Sequence, residues 1–270
     1  MSEIEKMREE KDVEGLIELI KKDEGDKEEG VRALRNVVDQ GAKDVPVEPL
    51  SDLLRDELYV AYFGMIIVER LAEKGRDVSS SIDALNELVE DPVRKVRKKA
   101  VDTLGVLAER GFYSSSSVEY LNEVLTEDDR DLRLEAIWTL YLLAKEGVGK
   151  KSTIESVNDL LSDEDEEIRS CAVLTLAELA EHDIFERSSI EPLNDALEDR
   201  REEVRNHATF ALGILASKEV YDSSSLEPLI ELLKKEDSEA RYNALFALGV
   251  LAEHGLGDES AIPVLHDLLE

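Results

Sequence analysis

The stretch VRKKAVDTLGVLA, residues 96–108, recurs four more times along the chain, each copy 36 residues after the last. The later copies begin at residues 132, 168, 204 and 240, and read LRLEAIWTLYLLA, IRSCAVLTLAELA, VRNHATFALGILA and ARYNALFALGVLA. Apolar residues recur in each copy at helical spacing, so each copy predicts one long helix. Self-similarity at such a period indicates an array of stacked supersecondary units.

A shorter apolar pattern precedes each copy and follows a recurring serine. Ser188, for example, stands before Ile190, Leu193 and Leu197. A serine before such a run is the expected N-cap, because its oxygen can accept hydrogen bonds from free first-turn amides. Each unit is therefore predicted to hold a short helix A, an acidic turn and a longer helix B. The serines are Ser80, Ser116, Ser152, Ser188, Ser224 and Ser260.

The repeated pattern resembles the HEAT repeat family, including its bilin-lyase-like subgroup, over about residues 46–270. The resemblance implies an all-α fold, a right-handed α-α superhelix of about seven helix-pair units. We expect a single solenoid over residues 1–270 without an internal domain boundary. Its expected parts are a divergent first unit or cap (1–45), a degenerate unit (46–79), five regular 36-residue units (80–259) and a terminal half-unit (260–270).

An arginine near the start of each helix B forms a column that the resemblance makes structural. In the family this arginine bonds the acidic turn, which implies contacts of Arg97 with Asp91 and of Arg169 with Asp163. Arginine suits this role because its planar fork can serve several oxygens at once. The column comprises Arg97, Arg133, Arg169, Arg205 and Arg241.

A local basic cluster at residues 94–99 stands out in a chain whose formal net charge is −31. A solvated patch, a contact for an acidic protein and a phosphate site are the three alternatives. The cluster occupies one turn of one unit, whereas nucleic-acid-binding solenoids generally carry basic residues along the whole groove. The sequence therefore favours the solvated patch. Besides Arg97, the cationic members are Arg94, Lys95, Lys98 and Lys99.

The 64 acidic residues against 33 lysines and arginines are spread over most of the chain. This charge would repel a nucleic-acid backbone, so nucleic acid is not the expected partner. One explanation is the acidic proteome of a salt-loving microbe, in which concentrated salt screens self-repulsion. The other is an acidic face for a basic partner.

The compartment is predicted from what the sequence lacks. The charged N-terminus has no signal-like apolar region, and no segment approaches the length of a membrane span. Cys171 is the single cysteine, so an intramolecular disulfide is impossible. We expect a cytoplasmic protein that does not contact membranes.

Residues with catalytic or metal-binding potential form no recognisable motif. The four histidines are not spaced as a metal-ligand set, and neither a phosphate loop nor a nucleophile elbow is found. Cys171 has no base nearby in the sequence, which predicts an inert thiol. We therefore expect no catalytic residues, metal or cofactor. The alternative is a lyase-like or accessory enzyme of the bilin-lyase type, because HEAT folds can host enzymes.

One face of helix B departs from the family, whose members commonly carry charges at the positions equivalent to 102 and 106. Here these positions are largely aromatic or aliphatic, and an exposed column of that kind marks a binding surface. The alternative is that strong curvature packs the column between successive B helices. The predicted ridge comprises Leu134, Trp138, Tyr141, Leu142, Leu174, Phe210, Ile214, Tyr242, Phe246 and Val250.

Acidic residues border this ridge, a combination that suits a peptide or helix with apolar and basic side chains. We predict a non-enzymatic scaffold that binds a protein or peptide partner on the concave helix-B face. A structural module that uses its open ends is a third possibility. Residues 260–270 would form a helix A without a helix B, which predicts a possible homodimer through this end. The bordering acids are Glu135, Glu167, Glu203 and Glu239.

Overall fold

The computed structural model describes residues 2–22, 27–42, 45–235, 238–257, 259 and 261–267. Every regular element in these ranges is helical, with 16 α-helices and no strand. The all-α helical-repeat fold predicted from the sequence is confirmed. In this part of the chain no helix is long and apolar enough to cross a bilayer. The chain divides into two compact units, Met1–Val124 and Leu125–Glu270.

In the first unit, the longer helices α3, α5 and α7 pack side by side, and the short helices α4 and α6 each pack on the long helix that follows. Leu34, Met65 and Leu107, one from each long helix, are fully buried in this layer. The helices are α1 (Glu3–Glu10), α2 (Val13–Lys21), α3 (Lys27–Asp39), α4 (Leu50–Leu54), α5 (Leu58–Glu73), α6 (Ile82–Val89), α7 (Arg94–Glu109) and α8 (Ser117–Val124).

The second unit repeats the pattern with more regularity. Its B helices α9, α11, α13 and α15 pack in succession, and α10, α12 and α14 pack on the following B helix. An alanine of each B helix, Ala136, Ala172, Ala208 or Ala244, is fully buried, so the backbones can approach closely. The helices are α9 (Arg130–Lys145), α10 (Lys151–Leu160), α11 (Glu166–Glu181), α12 (Ile190–Ala196), α13 (Glu202–Ser217), α14 (Leu226–Leu233), α15 (Ser238–Glu253) and α16 (Ala261–Asp267).

The N-cap prediction is wrong for Ser80, Ser152, Ser188 and Ser224, because other residues occupy the N-cap positions of their helices. Ser225, the residue after the recurring serine, occupies the N-cap of α14, and its side chain makes no capping hydrogen bond. A 3-10 turn leads into the helix instead, with Ser225 N–H donating to the carbonyl oxygen of Asp222. The hydroxyl of Ser224 accepts a hydrogen bond from Nδ2 of Asn194 at 3.2 Å. The serine therefore links consecutive A helices.

The same link occurs in the first unit, where Nδ2 of Asn86 donates to Oγ of Ser116 at 3.0 Å. Asn86 is 1% and Asn194 8% exposed, so both amides are buried between repeats. Asparagine recurs in the sequence at the repeat position of Asn86 and Asn194. Sequence reasoning missed this recurrence, which was the signal for the link to the next repeat.

The end of the chain is described in part. Helix α16 follows the position of Ser260, which lies outside the described residues together with residues 268–270. Ile262 is 63% exposed. The terminal half-unit and the homodimer through it stay predictions.

Candidate interaction surface on the B helices

The repeat arginine fixes where each B helix of the second unit begins. Nη1 of Arg169 donates to the backbone oxygens of Asp163 at 2.8 Å and Glu164 at 3.2 Å. Its Nε and Nη2 donate to the two carboxylate oxygens of Asp199, at 2.6 and 3.1 Å. Arg133 likewise donates to the carboxylate of Asp163 at 3.0 Å. Arg133 and Arg169 thus each bind their own turn and join it to the turn of the next repeat.

The other members of the column occupy the same place. Arg205 donates to the carbonyl oxygen of Asp199 at 2.8 Å, and Arg97 donates to that of Asp91 at 3.1 Å. Arg241 is half-buried near the start of α15. Arg97 and Arg169 both contact their own turns through backbone oxygens.

Aspartates cap two of these helices. Asp129 accepts from the amides of Asp131 and Leu132 at the start of α9, and Asp165 accepts from the first-turn amides of α11. Arg201 stands at the equivalent position of α13 and makes no side-chain cap. Sequence reasoning missed this departure, although the repeat register displays it.

The ridge positions differ in exposure. Trp138, Phe210 and Phe246 lie at one repeat position of α9, α13 and α15 and are 40%, 42% and 50% exposed. Tyr242 is 74% exposed, whereas Ile214 is only 5% exposed and lies beneath the surface. The remaining members, all half-buried, are Leu134, Tyr141, Leu142, Leu174 and Val250.

An open cavity of about 430 Å³ lies along α9 and α11 and reaches the start of α13. Its apolar wall includes Leu134, Trp138 and Leu174, so the structure brings three of the ridge residues together. Four charged residues also line it: Glu135, Glu167, Arg201 and Glu203.

Neighbouring side chains hold the exposed rings in place. The ring of Trp138 is 5.2 Å from that of Tyr141, centroid to centroid, and Nζ of Lys145 is 5.8 Å from the Tyr141 ring. Farther along the ridge, Phe246 lies against Gly213, where a Cβ atom would come within 2.9 Å of its Cδ1. The apolar ridge therefore consists of packed rings with one accessible face.

Ion pairs surround the cavity. Arg201 pairs with Glu166 at 2.7 Å and with Glu203 at 2.9 Å. Arg130 pairs with Asp165 at 2.6 Å and with Glu167 at 2.7 Å. The rim thus contains carboxylates that already bind guanidinium groups of the chain itself.

The cysteine and histidine of this face have shifted pKa values. Burial, followed by the charges of Glu167 and Asp165, raises the pKa of Cys171 to about 11. Burial lowers the pKa of His207, against the opposing effect of Glu203 and a second glutamate. At neutral pH the thiol is therefore protonated, and the imidazole is uncharged.

The basic cluster of the first unit is partly neutralised. Nζ of Lys99 is 2.6 Å from Glu69 and 2.9 Å from Asp102. Burial alone would lower the pKa of Lys99, but these two carboxylates outweigh burial and raise it. Arg94 and Lys95 are exposed. Lys99 thus belongs to an internal ion-pair network rather than to a phosphate site.

Among the residues that the structure describes, no group of three or more histidine, cysteine, aspartate or glutamate side chains is arranged to hold a metal ion.

Comparisons with known proteins agree with this architecture. A family model for HEAT repeats matches residues 118–213 and 190–270. An engineered protein of known structure has a TM-score of 0.64 at 23% identity, over 89% of this chain and 68% of that chain. A computationally designed armadillo repeat protein for modular peptide recognition has a TM-score of 0.59 at 19% identity, over 76% and 99% of the two chains.

A third structure is a designed armadillo repeat protein in complex with the peptide (KR)4. Its TM-score is 0.54 at 20% identity, over 88% of this chain and 98% of that chain. No curated protein matches this chain in sequence. The structural likenesses show a helical repeat solenoid.

Proposed function

The chain belongs to the HEAT repeat family, and from this premise we propose that it is a protein-interaction scaffold whose helix-B face binds a peptide segment or helix. The proposed surface runs along α9, α11, α13 and α15. The observation that carries the proposal is the accessible ring of Trp138 beside an open, largely apolar cavity. Aromatic side chains with one accessible face are typical anchors of protein interfaces.

Apolar contacts would supply most of the affinity. Trp138, Phe210 and Phe246 recur at the same position of three repeats and each keep two fifths or more of their surface exposed. A partner helix or extended segment could bury them in turn, because successive repeats present equivalent positions. Burying one such ring contributes about 2 kcal/mol or more to binding at a hot spot.

Charge would select the partner. The cavity rim carries Glu135, Glu167 and Glu203 against a single arginine, Arg201, and the whole chain has a formal charge of −31. Complementary charge speeds encounter and rejects acidic competitors. We therefore propose a partner segment that carries basic as well as apolar side chains. The similar designed protein in complex with (KR)4 supports this chemistry as one that the fold accommodates.

We further propose that the scaffold is not an enzyme. Cys171 lies in the cavity wall, but its pKa of about 11 leaves the thiol a poor nucleophile at neutral pH. Glu167 and Glu203 of the rim are engaged with Arg130 and Arg201. The imidazole of His207 is 3.5 Å from the hydroxyl of Ser170 in the cavity wall, longer than the roughly 2.6–3.2 Å over which a base activates a hydroxyl. Binding is the function that the geometry supports best.

Peptide titration tests the proposal. We expect a peptide with alternating basic and apolar residues to bind and to shift the fluorescence of Trp138, the only tryptophan. Replacing both Trp138 and Phe210 by alanine should weaken binding at least 30-fold, as loss of hot-spot contacts does. Calorimetry measures the affinity of the parent and of this double variant.

Tyr113→Ala is the matched control, because Tyr113 is an exposed aromatic at 36% but belongs to the first unit and not to the ridge. It should leave affinity unchanged. If peptides of this class do not bind, or bind the double variant as tightly as the parent, the proposed function is wrong.

A further inference from the structure

Arg201 interrupts a pattern that the two preceding repeats keep. Where α9 and α11 begin with the capping aspartates Asp129 and Asp165, α13 begins with Arg201, and its side chain caps nothing. Losing an aspartate cap costs a helix about 1 kcal/mol. With an arginine at this position, α13 lacks the stability that an aspartate cap would add, and it has a guanidinium group there instead.

The guanidinium of Arg201 lies between two glutamates. Its Nη1 is 2.7 Å from Glu166, on the preceding B helix, and its Nη2 is 2.9 Å from Glu203. Arg201 and Glu203 line the cavity that Trp138 borders. A cation is thus already bound at the edge of the proposed binding surface, and the chain itself supplies it.

We propose that Arg201 is a built-in occupant of a cation subsite, and that an arginine or lysine of a basic partner segment takes its place between Glu166 and Glu203. This inference rests on the function proposed above. The partner's cation enters beside Trp138, where its alkyl chain or guanidinium plane packs on the indole. Arg201 is released toward solvent.

The exposure of the three groups makes this exchange feasible. The side chains of Glu166 and Glu203 are 47% and 60% exposed, and that of Arg201 is 32% exposed. Ion pairs at such exposure are weak and break without a large cost. By contrast Arg169 and Asp199 are 8% and 10% exposed and form a closed pair that a partner cannot enter. A partner cation can therefore replace Arg201 in its ion pairs, whereas the Arg169–Asp199 pair has a structural role.

The negative potential near the cavity supports a cationic occupant. Burial is the largest cause of the raised pKa of Cys171, a residue of the cavity wall, and the negative charges of Glu167 and Asp165 raise it further. A field that disfavours a thiolate favours an ammonium or guanidinium group at the same place.

The test compares removal of Arg201 with removal of an equal charge elsewhere. The probe is a peptide of alternating basic and apolar residues, KLRLKLRL, titrated by Trp138 fluorescence and by calorimetry at an ionic strength of about 0.15 M, where the Debye length is about 8 Å. Arg201→Ala should bind the probe about twofold to fivefold more tightly, the effect expected for one exposed charge interaction. Arg201→Glu should bind it more tightly still.

Arg187 provides the matched control, because it also forms an exposed ion pair, with Asp222, and lines a different cavity. Arg187→Ala and Arg187→Glu change the net charge equally but should alter affinity less than about 1.5-fold, since distant exposed charges are screened. Combining Glu166→Gln and Glu203→Gln should weaken binding and abolish the gain from Arg201→Ala, because these residues act as one unit. Thermal unfolding verifies that every variant is folded.

The outcomes separate this inference from the proposed function. Tighter binding of the Arg201 variants alone supports the inference. Unchanged affinity overturns it, as does equal gain from the Arg187 variants, which would reveal an effect of net charge. Weaker binding also overturns it and identifies Arg201 as a direct donor to the partner. If neither the parent nor any variant binds this basic and apolar peptide, the proposed function fails and this inference fails with it. If the parent binds through Trp138 and the Arg201 variants bind with the same affinity, only the inference is wrong.

Discussion

Phe246 of α15 lies against Gly213 of α13 so closely that a Cβ atom at Gly213 would come within 2.9 Å of ring atom Cδ1. Gly249, one repeat later at the same register, has nothing within 4 Å of the place of a Cβ. Both glycines lie inside helices, where alanine is favoured over glycine by about 1 kcal/mol. We expect Gly249→Ala to raise the midpoint of thermal unfolding. Gly213→Ala should raise it less, because the ring of Phe246 must move.

Equal stabilisation by the two changes would contradict the packing of Phe246 on α13. The ring is half exposed, so it can turn outward rather than unfold the helix. Gly213→Ala should therefore alter partner affinity more than stability, and a comparison of calorimetric binding with thermal unfolding separates the two effects.

Removing Arg169 should be among the more damaging single changes in the second unit. The pair with Asp199 is nearly buried, and Arg169→Ala leaves that carboxylate and two carbonyl oxygens without their donor. Breaking a buried pair costs about 3 kcal/mol or more. Arg187→Ala, which breaks an exposed pair, should cost at most about 1 kcal/mol. Urea unfolding of the two variants provides the comparison, and similar losses would refute the structural role.

The same pair predicts a pH dependence of stability. Burial alone would raise the pKa of Asp199, but hydrogen bonds from Arg169 and from the amide of Arg201 outweigh it and hold the pKa below 3.8. A carboxyl whose folded pKa is lowered stabilises the fold above its unfolded pKa, and this contribution disappears as pH falls through the folded value. The stability difference between the parent and Asp199→Asn should therefore be large at pH 7 and shrink below about pH 4. A constant difference in urea unfolding across this range would exclude the linkage.

Cys171 should react slowly with thiol reagents. With a pKa of about 11 instead of 9.0, the thiolate fraction at pH 8 is about 100-fold lower than that of an ordinary cysteine. Alkylation in the folded protein should be slowed by at least about that factor and should accelerate on unfolding in urea. Labelling as fast as free cysteine would show that the thiol is neither buried nor in a negative field.

Trp138 should report an accessible ring. With 40% of its surface exposed, we expect emission at wavelengths close to those of free tryptophan and ready quenching by acrylamide. Trp138→Ala should cost less stability than the roughly 3–5 kcal/mol of a core aromatic. Blue-shifted, protected emission from the unliganded protein would favour the alternative in which the ridge packs between units.

The helix-pair repeat was predictable because its signals are internal to the chain. Ala136, Ala172 and Ala208 recur at a fixed interval, and only a small residue fits where neighbouring helices approach closely. Helical periodicity places Val204 and Leu212 on the apolar side of helix B, and both are buried. Local patterns of this kind do not require knowledge of how repeats are inclined to each other.

The candidate surface was less predictable because it depends on that inclination. Phe210 and Ile214 lie one helical turn apart on the same face of α13, yet the first is 42% and the second 5% exposed. Periodicity assigns both to the ridge, and only the packing of the adjacent helix distinguishes them. Ser224 was misjudged for a related reason, since its partner Asn194 lies a full repeat earlier in the chain.

Asp199 binds two repeats at once: one carboxylate accepts from the amide of Arg201 in its own turn and from the guanidinium of Arg169 in the preceding repeat. A turn that melts here must release its neighbour's arginine, which makes local unfolding cooperative between adjacent repeats. One repeat later Lys235 takes this position, and its ammonium donates to the carbonyl oxygen of Leu197. Local unfolding of α14 and α15 can therefore proceed without breaking the Arg169–Asp199 pair, whereas unfolding that includes the turn of Asp199 has to break it.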